Sequence, residues 1–239
     1  EDNAKGAGAR GKDFKVGQLS DTVSTSFIIQ KNLGTFREGG AVVTNNPDID
    51  QRIRQLRNHG SLQRNVHSYG FNSRLDDLHA AILTAKLKHI GAWNDLRRKW
   101  AARYDEGLQG CGNIDLPTEL EGYRHVYHLY VIETKRPEHR EPLLKFLNDA
   151  GIDAKTHYSI AIHQQDGYPW GKGARIVGDV ANAEANAACC VSLPMFPELT
   201  EEAVDYVIEK VNEWDKANAA TATTEPGFAR RATKCTYCS

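Results

Sequence analysis

The sequence is short of several things, and each shortage excludes a class of protein. None of its 239 residues belongs to an apolar run near the roughly 20 that cross a bilayer, so no membrane-spanning helix is expected. Neither sign of charge dominates, with 30 Lys and Arg against 31 Asp and Glu and a net charge of −1. Without a dominant field the chain lacks the footprint of a nucleic-acid binder or of a protein held on an anionic membrane. The five cysteines (Cys111, Cys189, Cys190, Cys235, Cys238) are too few and too uneven for a disulfide framework, and free thiols in a reducing cytoplasm are expected. Cys235-x-x-Cys238 is half a zinc site with no second pair, so no metal centre is expected. The only methionine is Met195, the first residue is Glu1, and the opening lacks the charged and then apolar regions of a signal peptide. The expectation is a piece of a longer chain.

What is present is ordinary for a globular protein: 40% hydrophobic and 26% charged residues. Residues 21–29 are rich in β-formers, and 41–44 form a second apolar run after the Gly39-Gly40 turn. Asn46-Pro47 opens a helix closed by Gly60. From Leu75 to Tyr104 an apolar stripe at helical spacing predicts one long helix, continuing past Gly91 and joining two subdomains. The second half alternates: a strand over 125–134, a helix over 138–150 ended by Gly151, a strand over 154–160, a helix over 179–190 and a helix over 200–214 capped by Thr200. This order predicts an α/β or α+β domain. Residues 216–239 carry little apolar content and are expected to be a disordered tail.

Among the motifs, GAGARG (6–11) spells G-x-G-x-x-G but has neither a strand before it nor a helix after it, which dismisses a dinucleotide site. Cys189 and Cys190 lie on an apolar helix face and read as core. His157, Tyr158 and His163 lie on or after a strand, where structural and binding roles both remain open. Lys31 is different. It follows the apolar Phe27-Ile28-Ile29 and precedes Asn32-Leu33-Gly34, a setting that can hold an amine partly out of water. An amine so held gives up its proton more readily and becomes a nucleophile.

The runs SFIIQKNLGTFREGGAVVTN (26–45), RQLRNHGS (54–61) and YGFNSRLDDLHAAIL (69–83), followed by HVYHLYVI (125–132), HYSIAIHQQ (157–165) and SLPMFPELTEEAVDYVIE (192–209), resemble the DegT/DnrJ/EryC1/StrS family in order. These are pyridoxal-phosphate-dependent sugar aminotransferases of fold type I. The opening EDNAKGAGAR resembles a stretch well inside that family's catalytic domain. The resemblance therefore implies a remnant of the large cofactor domain over 1–92, a small C-terminal α/β domain over 93–215 and the tail beyond. It implies that Lys31 is the Schiff-base lysine and general base, that Asp2 lies under the pyridine nitrogen and that Ser26 binds the phosphate. Asn72 matches an asparagine that reaches the phosphate of a neighbouring subunit, which implies a homodimer with shared sites. His157, Tyr158 and His163 become candidates for the substrate pocket.

The implied activity moves an amino group from glutamate or glutamine to a keto-sugar, nucleotide-linked, or to a cyclitol, in the cytoplasm. Lys31 speaks against the family branch that carries His at this position. The wording Asn72-Ser73-Arg74-Leu75-Asp76 resembles the subgroup acting on C3 ketones. Departures keep an alternative open: a regulatory or catalytically weak homologue, or an inactive fragment. Lys5 stands where the family has Gln, Ile29 where it has Pro, Arg37-Glu38-Gly39-Gly40 where it has Gly-Asp-Gly-Gly, and both prolines are absent from 157–161.

Overall fold

The β-rich run near residue 21 forms a strand over its first half only. Strand β1, Thr22–Ser26, pairs antiparallel with β2, Gly40–Thr44, setting Ser24 opposite Val42 and Ser26 opposite Gly40. Asp2 joins β1 through a parallel bridge to Ser24, with Ser24 N donating to Glu1 O (3.0 Å) and Asn3 N to Ser24 O (2.8 Å). Beyond Ser26 the ladder is replaced by loop bonds: Phe27 N donates to Gly39 O (2.7 Å) and Thr35 N to Phe27 O (2.8 Å). The computed structural model describes residues 1–168 and 173–219. These form two compact units, Glu1–Lys99 with Glu119–His128, and Trp100–Thr118 with the described residues from Leu129 onward.

In the first unit, helix α1 spans Pro47–Leu56. The Asn46 side chain caps it by accepting from Asp48 N (2.9 Å) and Ile49 N (3.4 Å), and Pro47 takes the position where no amide is needed. The helix ends at Leu56, short of Gly60. His59 (φ 57°) and Gly60 (φ 68°) then turn the chain so that His59 N reaches Phe71 O (2.8 Å). The long helix expected from Leu75 is two helices, α2 over Asp77–Leu87 and α3 over Ile90–Leu108. The break falls at Lys88-His89, where His89 N bonds Lys86 O (2.9 Å), and Gly91 lies inside α3. The apolar stripe runs through the break, which is why periodicity alone conceals it. Residues 90–99 of α3 belong to the first unit and 100–108 to the second.

The second unit is built on a three-stranded antiparallel sheet in the order β3 (Ile114–Asp115), β4 (Tyr130–Thr134), β5 (Cys190–Leu193). Around it lie α4 (Arg140–Asp149), α5 (Ala181–Cys189) and α6 (Glu201–Asn218). Its core gathers Tyr104, Leu108, Tyr130, Ile132, Leu143, Leu147, Val191, Val204 and Val211, each 1% exposed or less. Burying each large apolar side chain stabilises the fold by about 1.5–3 kcal/mol. Thr200 Oγ1 caps α6 by accepting from Ala203 N (3.2 Å), and Gly151 (φ 79°) follows α4 as expected.

The mixed α/β class holds, with local corrections. The strand expected over 125–134 starts at Tyr130, because residues 125–128 are held by side chains of other segments instead of a ladder. Of the strand expected over 154–160, only a bridge from Lys155 to Ser192 forms. Cys190 opens β5 instead of ending a helix, and both Cys189 and Cys190 are buried. Helix α6 continues through Lys216 to Asn218, where the sequence suggested the tail would begin. From residue 220 onward that predicted tail, with Cys235-x-x-Cys238, lies outside the described residues.

Candidate functional site

The loop that follows β1 is closed on itself. Thr35 N to Phe27 O ties its ends, and Lys31 N donates to Ile28 O (2.9 Å) to form a turn at its tip. Gly34 packs into this turn so closely that a Cβ there would lie 2.5 Å from Ile29 O and 2.7 Å from Ile28 O. Only glycine fits. The limb after the tip is buried, with Asn32 7% and Thr35 0% exposed, whereas Ile29 before it is 53% exposed. Lys31 itself is half-buried, and its ammonium has no ion pair among the described residues.

Asp2 and Ser26 are brought to the same strand. The bridge aligns Asp2 with Ser24, and the two-residue period of a strand puts Ser24, Ser26 and Asp2 on one face. Asp2 Oδ1 accepts from Ala4 N (2.8 Å), while its Oδ2 carries no hydrogen bond among the described residues. Ser26 Oγ accepts from Ile28 N (3.4 Å), which leaves its hydroxyl proton to donate elsewhere. A half-buried amine, a carboxylate with an unengaged oxygen and a hydroxyl donor on one strand and its turn form a donor set that fits an aldehyde-bearing pyridine phosphate. Among the described residues, no group of three or more His, Cys, Asp or Glu is placed to hold a metal ion, and no helix is long and apolar enough to cross a membrane.

Behind Lys31 runs a buried polar chain. His128 Nδ1 lies 3.1 Å from Asn32 Oδ1, and Asn32 Nδ2 donates to Asn94 Oδ1 (2.8 Å) and to Val126 O (3.0 Å). Asn94 Nδ2 donates in turn to Ala7 O (2.9 Å). From α2, Lys86 Nζ donates to Gly34 O (2.7 Å). The segment Glu119–His128 that supplies His128 is anchored by Arg98, whose guanidinium donates to both Glu119 carboxylate oxygens and to His125 O (2.9 Å). The Arg98 hydrogen bonds hold the Glu119 carboxyl below its ordinary range, and burial pushes the His125 imidazole below its own.

Asn72 is not part of this strand but shares a cavity with it. Paired with Asn58 in a single antiparallel bridge, it lines a cavity of about 760 Å³ in the first unit together with Ser24, Arg37, Arg57 and Arg74. The three substrate-pocket candidates belong to the second unit. His157 Nδ1 is 2.9 Å from Ser192 Oγ on β5, Tyr158 is exposed, and His163 Nε2 is 2.8 Å from Glu184 Oε1 on α5. The loop read as GAGARG bridges Arg10 to Lys15 and Arg124, with no helix after it.

Asn32, Asn94, His128 and Lys86 are absent from the residues that sequence reasoning selected. A signal existed for Asn94, a polar residue between Trp93 and Leu96 in the apolar stripe of a helix. Asn32, adjoining Lys31 between the apolar Phe27-Ile28-Ile29 and Leu33, was a second. His128 was hidden by reading 125–134 as a continuous strand.

Residues 1–212 match the family model described as the DegT/DnrJ/EryC1/StrS aminotransferase family. The chain is 40% identical over 215 residues to a dTDP-3-amino-3,4,6-trideoxy-alpha-D-glucose transaminase of Streptomyces venezuelae, covering 90% of this chain and 55% of the relative. It is 38% identical to a pleiotropic regulatory protein of Geobacillus stearothermophilus, covering 90% of this chain and 57% of the relative. A crystal structure of S. venezuelae DesV in complex with a ketimine intermediate superposes with a TM-score of 0.80 at 38% identity, covering 90% of this chain and 57% of that one. The chain thus spans just over half the length of these relatives.

Proposed function

The chain belongs to the DegT/DnrJ/EryC1/StrS aminotransferase family, and from that premise we propose that it serves a pyridoxal-phosphate-dependent transfer of an amino group from glutamate or glutamine to a nucleotide-linked keto-sugar. The observation that carries this reading is local: Lys31 stands at the tip of a closed turn directly beyond the strand that holds Ser26 and pairs with Asp2. When bound, pyridoxal phosphate supplies a conjugated ring that draws electrons from an amine-bearing carbon. Lys31 Nζ would hold the cofactor and would serve as the base that moves a proton at that carbon. The Asp2 carboxylate holds a proton on the ring nitrogen, and the Ser26 hydroxyl donates to a phosphate oxygen. Asn72 of each chain reaches the phosphate held by the other in a cytoplasmic homodimer. His157, Tyr158 and His163 orient the sugar.

Trapping tests this assignment. Borohydride reduction of the protein mixed with pyridoxal phosphate is expected to leave a mass increment on the peptide containing Lys31. Lys31→Ala should lose both the increment and amino transfer, the latter by roughly 10³-fold or more. An increment mapped elsewhere, or full activity without Lys31, refutes the assignment. A regulatory reading is favoured by the named Geobacillus relative and by Arg37, which enters the Asn72 cavity where the family has Gly. It predicts capture of the cofactor on Lys31 without amino transfer to any keto-sugar.

A further inference from the structure

The buried chain behind Lys31 has a fixed direction. Backbone carbonyls can only accept, so Val126 O requires the Asn32 amide nitrogen and Ala7 O requires that of Asn94. With both amides oriented, Asn94 Oδ1 accepts from Asn32, and Asn32 Oδ1 accepts from a hydrogen on His128 Nδ1. Both Asn32 amide hydrogens are thereby committed. Asn32 is 7% and Asn94 2% exposed, so rotating either would strand a polar group away from water. The anchored peptide is the one directly after Lys31, and the limb before Lys31 has no comparable hold, since Ile29 is exposed and Gln30 lies at the surface. Further along the same limb, Lys86 donates to Gly34 O (2.7 Å), and Gly34 packs against Ile28 O and Ile29 O.

We propose that Asn32, Asn94, His128 and Lys86 are positioning residues that fix the Lys31 amine for covalent capture of its cofactor. This rests on the proposed role of Lys31. None of the four needs to touch the cofactor. They hold the tip of a loop whose own bonds secure only its ends and one turn. A displacement of an ångström at a reacting atom can cost about 100-fold in rate. Affinity for a cofactor form that does not bond to the amine depends on Asp2 and Ser26, neither of which bonds directly to any of the four.

The test compares two ligands in the full-length protein. Borohydride trapping gives the rate of pyridoxal phosphate capture, and calorimetry gives the affinity for pyridoxamine phosphate, which lacks the aldehyde. Asn94→Ala and Lys86→Ala are expected to slow capture by roughly 10-fold or more while changing pyridoxamine phosphate affinity less than about 2-fold. Lys86→Arg, which can still donate to Gly34 O, should restore capture. Lys86 is half-buried on a helix surface, so its variants remain informative if Asn94→Ala fails to fold. Capture at the unsubstituted rate in folded Lys86→Ala, or equal losses for both ligands, overturns the inference. Absence of any increment on Lys31 in the unsubstituted protein overturns the proposed function and this inference together.

Discussion

At the scale of single residues, the tightest constraint is Gly34. Any side chain there meets two carbonyl oxygens at 2.5 and 2.7 Å, so Gly34→Ala must push the Lys31 turn open. The expected cost is about 1–3 kcal/mol in urea unfolding, accompanied by slower trapping on Lys31; an unchanged midpoint and unchanged trapping would contradict this. The cysteines make a second prediction. Burial pushes the Cys111 thiol up to about 11 and raises Cys189 and Cys190 as well. At pH 8 only roughly a thousandth of Cys111 is thiolate. Iodoacetamide should leave all three unmodified in the folded protein and label them in urea, as read by peptide mass spectrometry. Fast labelling of any of them without urea would show that its packing is wrong. Lys31, Ser26 and Asp2 could be selected from the sequence because each sits in a dense family motif, and folding brings Asp2 and Ser26 to one strand with Lys31 in the turn beyond it. The network behind Lys31 was not legible, because its partners lie 62 and 96 positions away from Asn32 and only folding pairs them.

At the scale of elements, helices were legible where caps and glycine stops are local, as at Asn46, Thr200 and Gly151. Short strands were misjudged because their limits depend on what the neighbouring chain offers. Residues 125–128 have the composition of a strand, yet Val126 O and Tyr127 O accept from Asn32 and Arg97 side chains. The segment Glu119–His128 gives a pH prediction with a definite sign. Burial lowers the folded-state pKa of His125 below the ordinary 6.5, so the unfolded chain takes up the proton first and stability falls as pH drops below about 6.5. Arg98 lowers Glu119 below the ordinary 4.5, so its contribution is present above that value and is lost as pH falls through the folded one. Both act in one direction. Amides of 119–128, corrected for intrinsic rates, should exchange faster at pH 4 than at pH 7, and Glu119→Gln should remove the more acidic part of the change. Equal protection at both values would contradict the ion-pair anchor.

At the scale of the whole molecule, the family and the α/β class were legible because ordered motifs extend across most of the chain, and the match over residues 1–212 agrees. The regiochemistry was less so, since it depends on pocket shape. One measurement reaches the central claim most directly. The full-length protein, loaded with pyridoxal phosphate, is given glutamate or glutamine labelled with ¹⁵N on its amino group and a nucleotide-linked 3-keto-sugar. The account predicts ¹⁵N on the sugar with an equal amount of 2-oxo acid formed, and neither with Lys31→Ala. Cofactor held on Lys31 while the label stays on the donor, across nucleotide-linked 3- and 4-keto-sugars, would contradict it.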